Sequence, residues 1–108
     1  MRSSAALAIL ALLAAAPAGA LDADDLGDLL GYTMIAHTNV VGDFEGADFD
    51  KLVKFDNGWI FEFQSYSYSY SYRPAVAVFA KKVVHNGKDL ILHKLIIDDE
   101  IYDARRVR

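Results

Sequence analysis

Polar and apolar positions alternate most regularly over residues 64–74, Q-S-Y-S-Y-S-Y-S-Y-R-P, where Tyr66, Tyr68, Tyr70 and Tyr72 interleave with Ser65, Ser67, Ser69 and Ser71. In an extended chain successive side chains point to opposite faces, so this spacing predicts a strand with four phenol rings on one side and four hydroxymethyl groups on the other. At helical pitch the rings would spread around the cylinder, and neither Ser nor Tyr favours a helix. The stretch separates an aromatic hairpin upstream from an aliphatic one downstream.

The upstream hairpin spans residues 51–64 around Asp56-Asn57-Gly58. A two-residue Asn57-Gly58 turn would pair Phe55 with Ile60; a three-residue turn with a left-handed Gly58 would pair Phe55 with Trp59. The second puts Val53, Phe55, Trp59, Phe61 and Phe63 on one face and Lys54 and Glu62 on the other, so the hydrophobic pattern selects it. Parity then changes, because the core aromatics are odd-numbered and the tyrosines even-numbered. A straight strand would turn the tyrosines away from the core, whereas a bulge near Gln64-Ser65 would return them to it.

Downstream, Pro74 belongs at a strand start or an edge, since it cannot donate to a ladder. Residues 75–84 and 89–98 read as strands joined by a second Asn-Gly turn, Asn86-Gly87, and residues 101–107 as a last short strand after the polar turn Asp98-Asp99-Glu100. Upstream, residues 32–41 read as the first strand, being rich in β-branched and aromatic residues. Residues 22–30 predict a helix of about two turns, with Leu26, Leu29 and Leu30 on one face and acidic residues in the first turn. It is expected to cover one open end of a barrel. In the loop between Gly42 and Lys51, Phe44 and Phe49 are expected to tuck onto the core. The chain is thus expected to be mainly β, a small antiparallel barrel of five or six strands with one short N-terminal helix. SH3-like topology is the first choice and OB-like the second.

Composition adds location. Residues 1–20 have a positive start, an apolar run from Ala5 to Ala16, and Ala18-Gly19-Ala20 at the end. That is the pattern of a secretory signal peptide cleaved after Ala20, leaving residues 21–108 as one small domain. The run is short, Ala-rich and broken by Pro17, which argues against a membrane span. The 108-residue chain has no cysteine, so packing and sheet closure must supply what disulfides supply in many small secreted domains. A cysteine-free exported chain suits a bacterial periplasm or exterior. Residues 21–50 carry eight acidic and no basic side chains, and the whole chain has a formal net charge of −4. Such a balance argues against a nucleic-acid partner. The basic end, Arg105-Arg106-Val107-Arg108, reads as a solvated terminus.

Candidate chemistry is sparse. Asp43, Glu45, Asp48 and Asp50 could offer oxygens to calcium, but their order is not that of an EF-hand, and a solvated turn accounts for them. His37, His85 and His93 lack zinc-site spacing, and Val84–Asp89 pairing would hold His85 and His93 apart. There is no nucleophile motif and no phosphate cradle. An acid/base pair of Glu62 with an acidic-loop Asp would be needed for a small hydrolase, the least supported reading. No cofactor is expected. The tyrosine row has three readings: rings filling the barrel or its mouth, an exposed ladder for a flat ligand such as a sugar chain or proline-rich peptide, or a dimer interface.

The strings G-A-D-F-D-K (residues 46–51), D-N-G (56–58) and Y-S-Y-S-Y-R-P (68–74) resemble small exported bacterial proteins of uncharacterised function, over residues 31–84. The resemblance implies an envelope location and assigns no residue a role. The expectation is therefore a non-enzymatic binding or accessory module of the bacterial envelope, with Tyr66, Tyr68, Tyr70, Tyr72 and Arg73 as candidate ligand contacts and an envelope glycan or protein as partner. The alternative is a structural or interaction subunit that docks through the tyrosine row or the basic C-terminus.

Overall fold

A computed structural model describes residues 21–108; the expected signal peptide lies outside them. The chain forms α1 (Ala23–Leu26), a 3-10 turn (Gly27–Leu29) and eight strands: β1 (Thr33–Asn39), β2 (Asp43–Phe44), β3 (Leu52–Lys54), β4 (Ile60–Phe63), β5 (Ser71–Tyr72), β6 (Ala75–His85), β7 (Lys88–Ile97) and β8 (Glu100–Arg106). Six of them build one antiparallel sheet in the order β1-β6-β7-β8-β4-β3, and β2 and β5 form a separate two-stranded ribbon. The large sheet curls into a half-barrel. Its two edges meet at one end, where Val40 bridges Phe55 and the Val41 amide donates to the Lys54 carbonyl at 3.0 Å.

The two hairpins follow their turn chemistry. Val53 pairs with Phe61, the Phe55 amide donates to the Trp59 carbonyl at 2.9 Å, and Gly58 has φ 90°, so the three-residue turn is the one formed. That register turns Val53, Phe55, Phe61 and Phe63 into the core and leaves Trp59 half-buried. Val84 pairs with Asp89 and Ala80 with His93 across the Asn86-Gly87 turn. Alternation along β6, β7 and β8 contributes Val76, Val78, Leu95, Ile97, Tyr102 and Ala104 to the same core. Past Ala80 and His93 the β6–β7 hairpin outruns its neighbours, and Val84, Leu90, Ile91 and Leu92 are exposed there.

Two local expectations are corrected. The helix spans one turn plus a 3-10 turn and buries none of its residues; Leu30 is 82% exposed. It lies beside the β7–β8 turn and is no plug for the barrel end, because Gly27 and the acidic residues leave it too short and too polar to compete for core surface. The ribbon takes that role. Phe44 packs against Phe63 and Tyr102, with ring centroids 6.0 and 5.8 Å apart. Phe49, expected to tuck in as Phe44 does, is 64% exposed, since the turn through Asp50 (φ 66°) carries it outward. The basic end is solvated, as expected, and also tied to the sheet: Arg105 and Arg106 belong to β8, the Ile60 amide donates to the Arg108 carbonyl at 3.1 Å, and the Arg106 guanidinium lies 4.0 Å over Trp59.

Candidate functional site: the tyrosine face

After β4 the chain bends at Ser65 but its buried and exposed positions go on alternating, so the tyrosines are not returned to the core. Phe61 and Phe63 are buried, Ser65 to Ser71 are half-buried at every odd position, and Tyr66, Tyr68, Tyr70 and Tyr72 are 63–79% exposed. The reading in which these rings fill the barrel is thereby overturned. A strand advances about 3.3 Å per residue, so the four rings form a row roughly 20 Å long. Only residues 71–72 pair as a strand, with Asp43 opposite Tyr72 and Phe44 opposite Ser71. A further bridge joins Ala47 to Ser67, and three residues on the tyrosine side face two, Glu45 and Gly46, on the other between these pairings.

Two features hold the row in place. Gly46 (φ 87°) passes so close to the tyrosine segment that a Cβ would collide with the Ser67 carbonyl oxygen and stand 2.7 Å from the Ser69 nitrogen. This is a position only glycine fills without strain. Beneath the row the serines are anchors: the Ser71 hydroxyl donates to Asp98 Oδ2 at 2.7 Å, and the Ser67 hydroxyl to Glu100 Oε2. Both carboxylates belong to the β7–β8 turn region. Serine side chains are short enough to bring the ribbon down onto that turn, while the phenols on the other face cannot reach it.

The other candidate residues fall around this row in different ways. Asp43 lies on β2 opposite the row, and Glu45 lies just past the end of that strand. The charge of Asp43 raises the Tyr70 hydroxyl above its ordinary ionisation range, with smaller contributions from desolvation, a hydrogen bond to Asp43 and the charge of Glu45. Asp48 accepts from the Phe49 amide at 2.8 Å, a local turn contact. Among the described residues no three acidic, histidine or cysteine side chains converge on a metal-sized site. Arg73 is a corner staple. Its φ is 48°, its guanidinium contacts Asp56 Oδ2 at 2.6 Å, and its carbonyl accepts from the Asn39 side chain at 3.0 Å. Glu62 sits on the outer sheet face, paired with Arg105 at 3.0 Å.

Sequence reasoning missed Asp98 and Glu100 as supports of the row. The signal was present in the serines, whose regular placement opposite the rings marks a face that needs small hydroxyl side chains. Under the ribbon, the Tyr102 hydroxyl is buried without a partner at hydrogen-bonding geometry. Burial first, then the charge of Glu100, pushes its pKa up to about 12. A cleft of about 500 Å³ lies between α1 and the β7–β8 turn, lined by Asp22, Asp25, Asp28, Asp99 and Glu100, the last of which also holds Ser67 beneath the row. No described helix is long and apolar enough to cross a membrane. No protein-family model, curated protein or solved structure matches this chain.

Proposed function

We propose that the protein is an exported, non-enzymatic binding module of the bacterial envelope, built on a half-barrel of SH3-like type, whose ligand surface is the row Tyr66, Tyr68, Tyr70 and Tyr72. The observation that carries this reading is the exposure of all four rings on a segment whose opposite face is fixed to the protein body. Exposed tyrosines present a large, amphipathic contact area with few torsions to freeze, which suits them to recognition. Anchored serines reduce the entropy lost when a ligand docks, because the platform is ordered beforehand. Export rests on the N-terminal pattern, and the bacterial setting on the absence of cysteine from an exported chain.

The test is an array of envelope glycans and peptides probed with the purified protein and with a Tyr68→Ala/Tyr70→Ala variant. The reading requires at least one ligand whose binding the variant loses while its thermal unfolding stays cooperative. Equal binding by both proteins, or no binding by either, removes the tyrosine face as the ligand surface.

A further inference from the structure

We propose that the tyrosine face takes an extended, positively charged peptide segment, with Lys or Arg side chains laid across the rings of Tyr70 and Tyr72 and paired with Asp43 and Glu45. This rests on the binding-face reading above and names the ligand's chemistry.

The argument is one of charge complementarity on an aromatic platform. Asp43 stands opposite Tyr72 in the ribbon, and Glu45 follows just past the end of β2. Residues 21–50 contain no Lys or Arg; Lys51 and Lys54 line the same groove as Asp43 and Glu45, but among the described residues neither forms an ion pair with them. Arg73, the nearest cation in sequence, is held by Asp56. On the serine side the ribbon rests on two further carboxylates, Asp98 and Glu100. Four carboxylates against the two lysines of that groove leave the surroundings of the row net acidic. Two of these carboxylates, Asp43 first and then Glu45, raise the Tyr70 hydroxyl above its ordinary ionisation range.

Aromatic faces attract cations through their quadrupole, and nearby carboxylates add to the attraction. An anionic segment would be repelled, and a neutral polyol would gain nothing from the charge. The shape is equally selective. A row roughly 20 Å long matches about six residues of extended peptide, with alternate side chains meeting successive rings.

The test uses dye-labelled peptides of five Lys-Ala and five Glu-Ala repeats, together with a neutral β-linked amino-sugar hexamer, in anisotropy titrations of the purified protein. The Lys-Ala peptide should bind at about 20 mM salt and weaken by 200 mM, as screening shortens the reach of exposed charges. The Glu-Ala peptide should not bind. Asp43→Asn/Glu45→Gln should weaken the Lys-Ala peptide about three- to tenfold, the range expected for two exposed charge pairs. Tyr70→Ala/Tyr72→Ala should weaken it by a similar factor, and Tyr70→Phe/Tyr72→Phe, which keeps the ring faces, should bind like the parent.

Asp24→Asn/Asp28→Asn alters the separate acidic group near α1 and should leave binding unchanged. If that variant alone weakens binding, attraction is diffuse and the inference falls. Tyrosine-dependent, salt-insensitive binding of the neutral hexamer also overturns it, while leaving the binding-face reading intact. Binding of neither probe overturns it too, and the array experiment then decides the face itself. Self-association that disappears in the Asp43→Asn/Glu45→Gln variant would replace the foreign peptide by a second copy and overturn it as well.

Discussion

Phe61 and Phe63 lie on the same run of chain as Tyr66, Tyr68, Tyr70 and Tyr72, with the same two-residue spacing, yet the first pair is sealed in the core and the four tyrosines stand in solvent. The difference is one of parity. Three steps separate Phe63 from Tyr66, and because alternation persists through the bend at Ser65, an odd number of steps turns the later aromatics to the opposite face. Aromatic character did not decide burial here; residue count did. The same count brings Ser67 and Ser71 inward, where they find Asp98 and Glu100.

The contrast is broken most strongly from the core side. Phe61→Ala removes a fully buried ring that stacks on Phe55 at 5.4 Å. It should cost about 3–5 kcal/mol in denaturant unfolding, a large part of the stability of about 5–15 kcal/mol usual for a domain. Next in size is Gly46→Ala, which combines a left-handed backbone with a collision against the tyrosine segment. The backbone term alone is about 1–2 kcal/mol. The ribbon should loosen, and the readout is faster hydrogen exchange at the Ala47 and Ser67 amides, which bond each other's carbonyls at 2.7 and 3.0 Å.

Tyr102 sharpens the comparison by titration. Its folded-state pKa of about 12 exceeds the free value near 10, so the folded protein holds this proton more tightly than the unfolded chain does. The contribution to stability is whole below pH 10 and is lost as pH rises from 10 towards 12. Unfolding followed across that window should show the loss, and Tyr102→Phe should flatten it. The same substitution should be nearly neutral at pH 7, because it removes a buried hydroxyl that has no partner.

Smaller effects come from the ribbon itself. Ser67→Ala and Ser71→Ala each remove one anchoring bond to a carboxylate and should each cost about 0.5–1.5 kcal/mol in thermal unfolding. The smallest belongs to the exposed row: Tyr68→Ala should shift stability by no more than about 0.5 kcal/mol. A loss comparable to that of Phe61→Ala would mean that the tyrosines are structural and would remove the contrast.

Much of the fold is legible in the chain because local chemistry is strong there. Asn57-Gly58 and Asn86-Gly87 dictate turn positions, and the alternating apolar residues around them leave a single register that buries one face. The tyrosine–serine string likewise announces an extended segment with two unlike faces. The small strand β2 was not legible, since Asp43-Phe44 is too short to show a period. Nor was the role of Arg73 in joining a corner to Asp56, which depends on residues far apart in sequence. The helix was legible as a helix, but its place was not, because a short acidic segment carries little information about which surface it will rest on.

The sequence by itself determined the alternation, the turn registers and the division of the string into a phenol face and a hydroxyl face. These are properties of neighbouring residues, set by strand geometry and by glycine's backbone freedom. Only the tertiary structure decided which face meets the protein. That choice rested on alternation persisting through the bend at Ser65, on Gly46 admitting the tyrosine segment at close range, and on the β7–β8 turn offering Asp98 and Glu100 as acceptors. Each depends on groups brought together from distant parts of the chain, so no local period could reveal it.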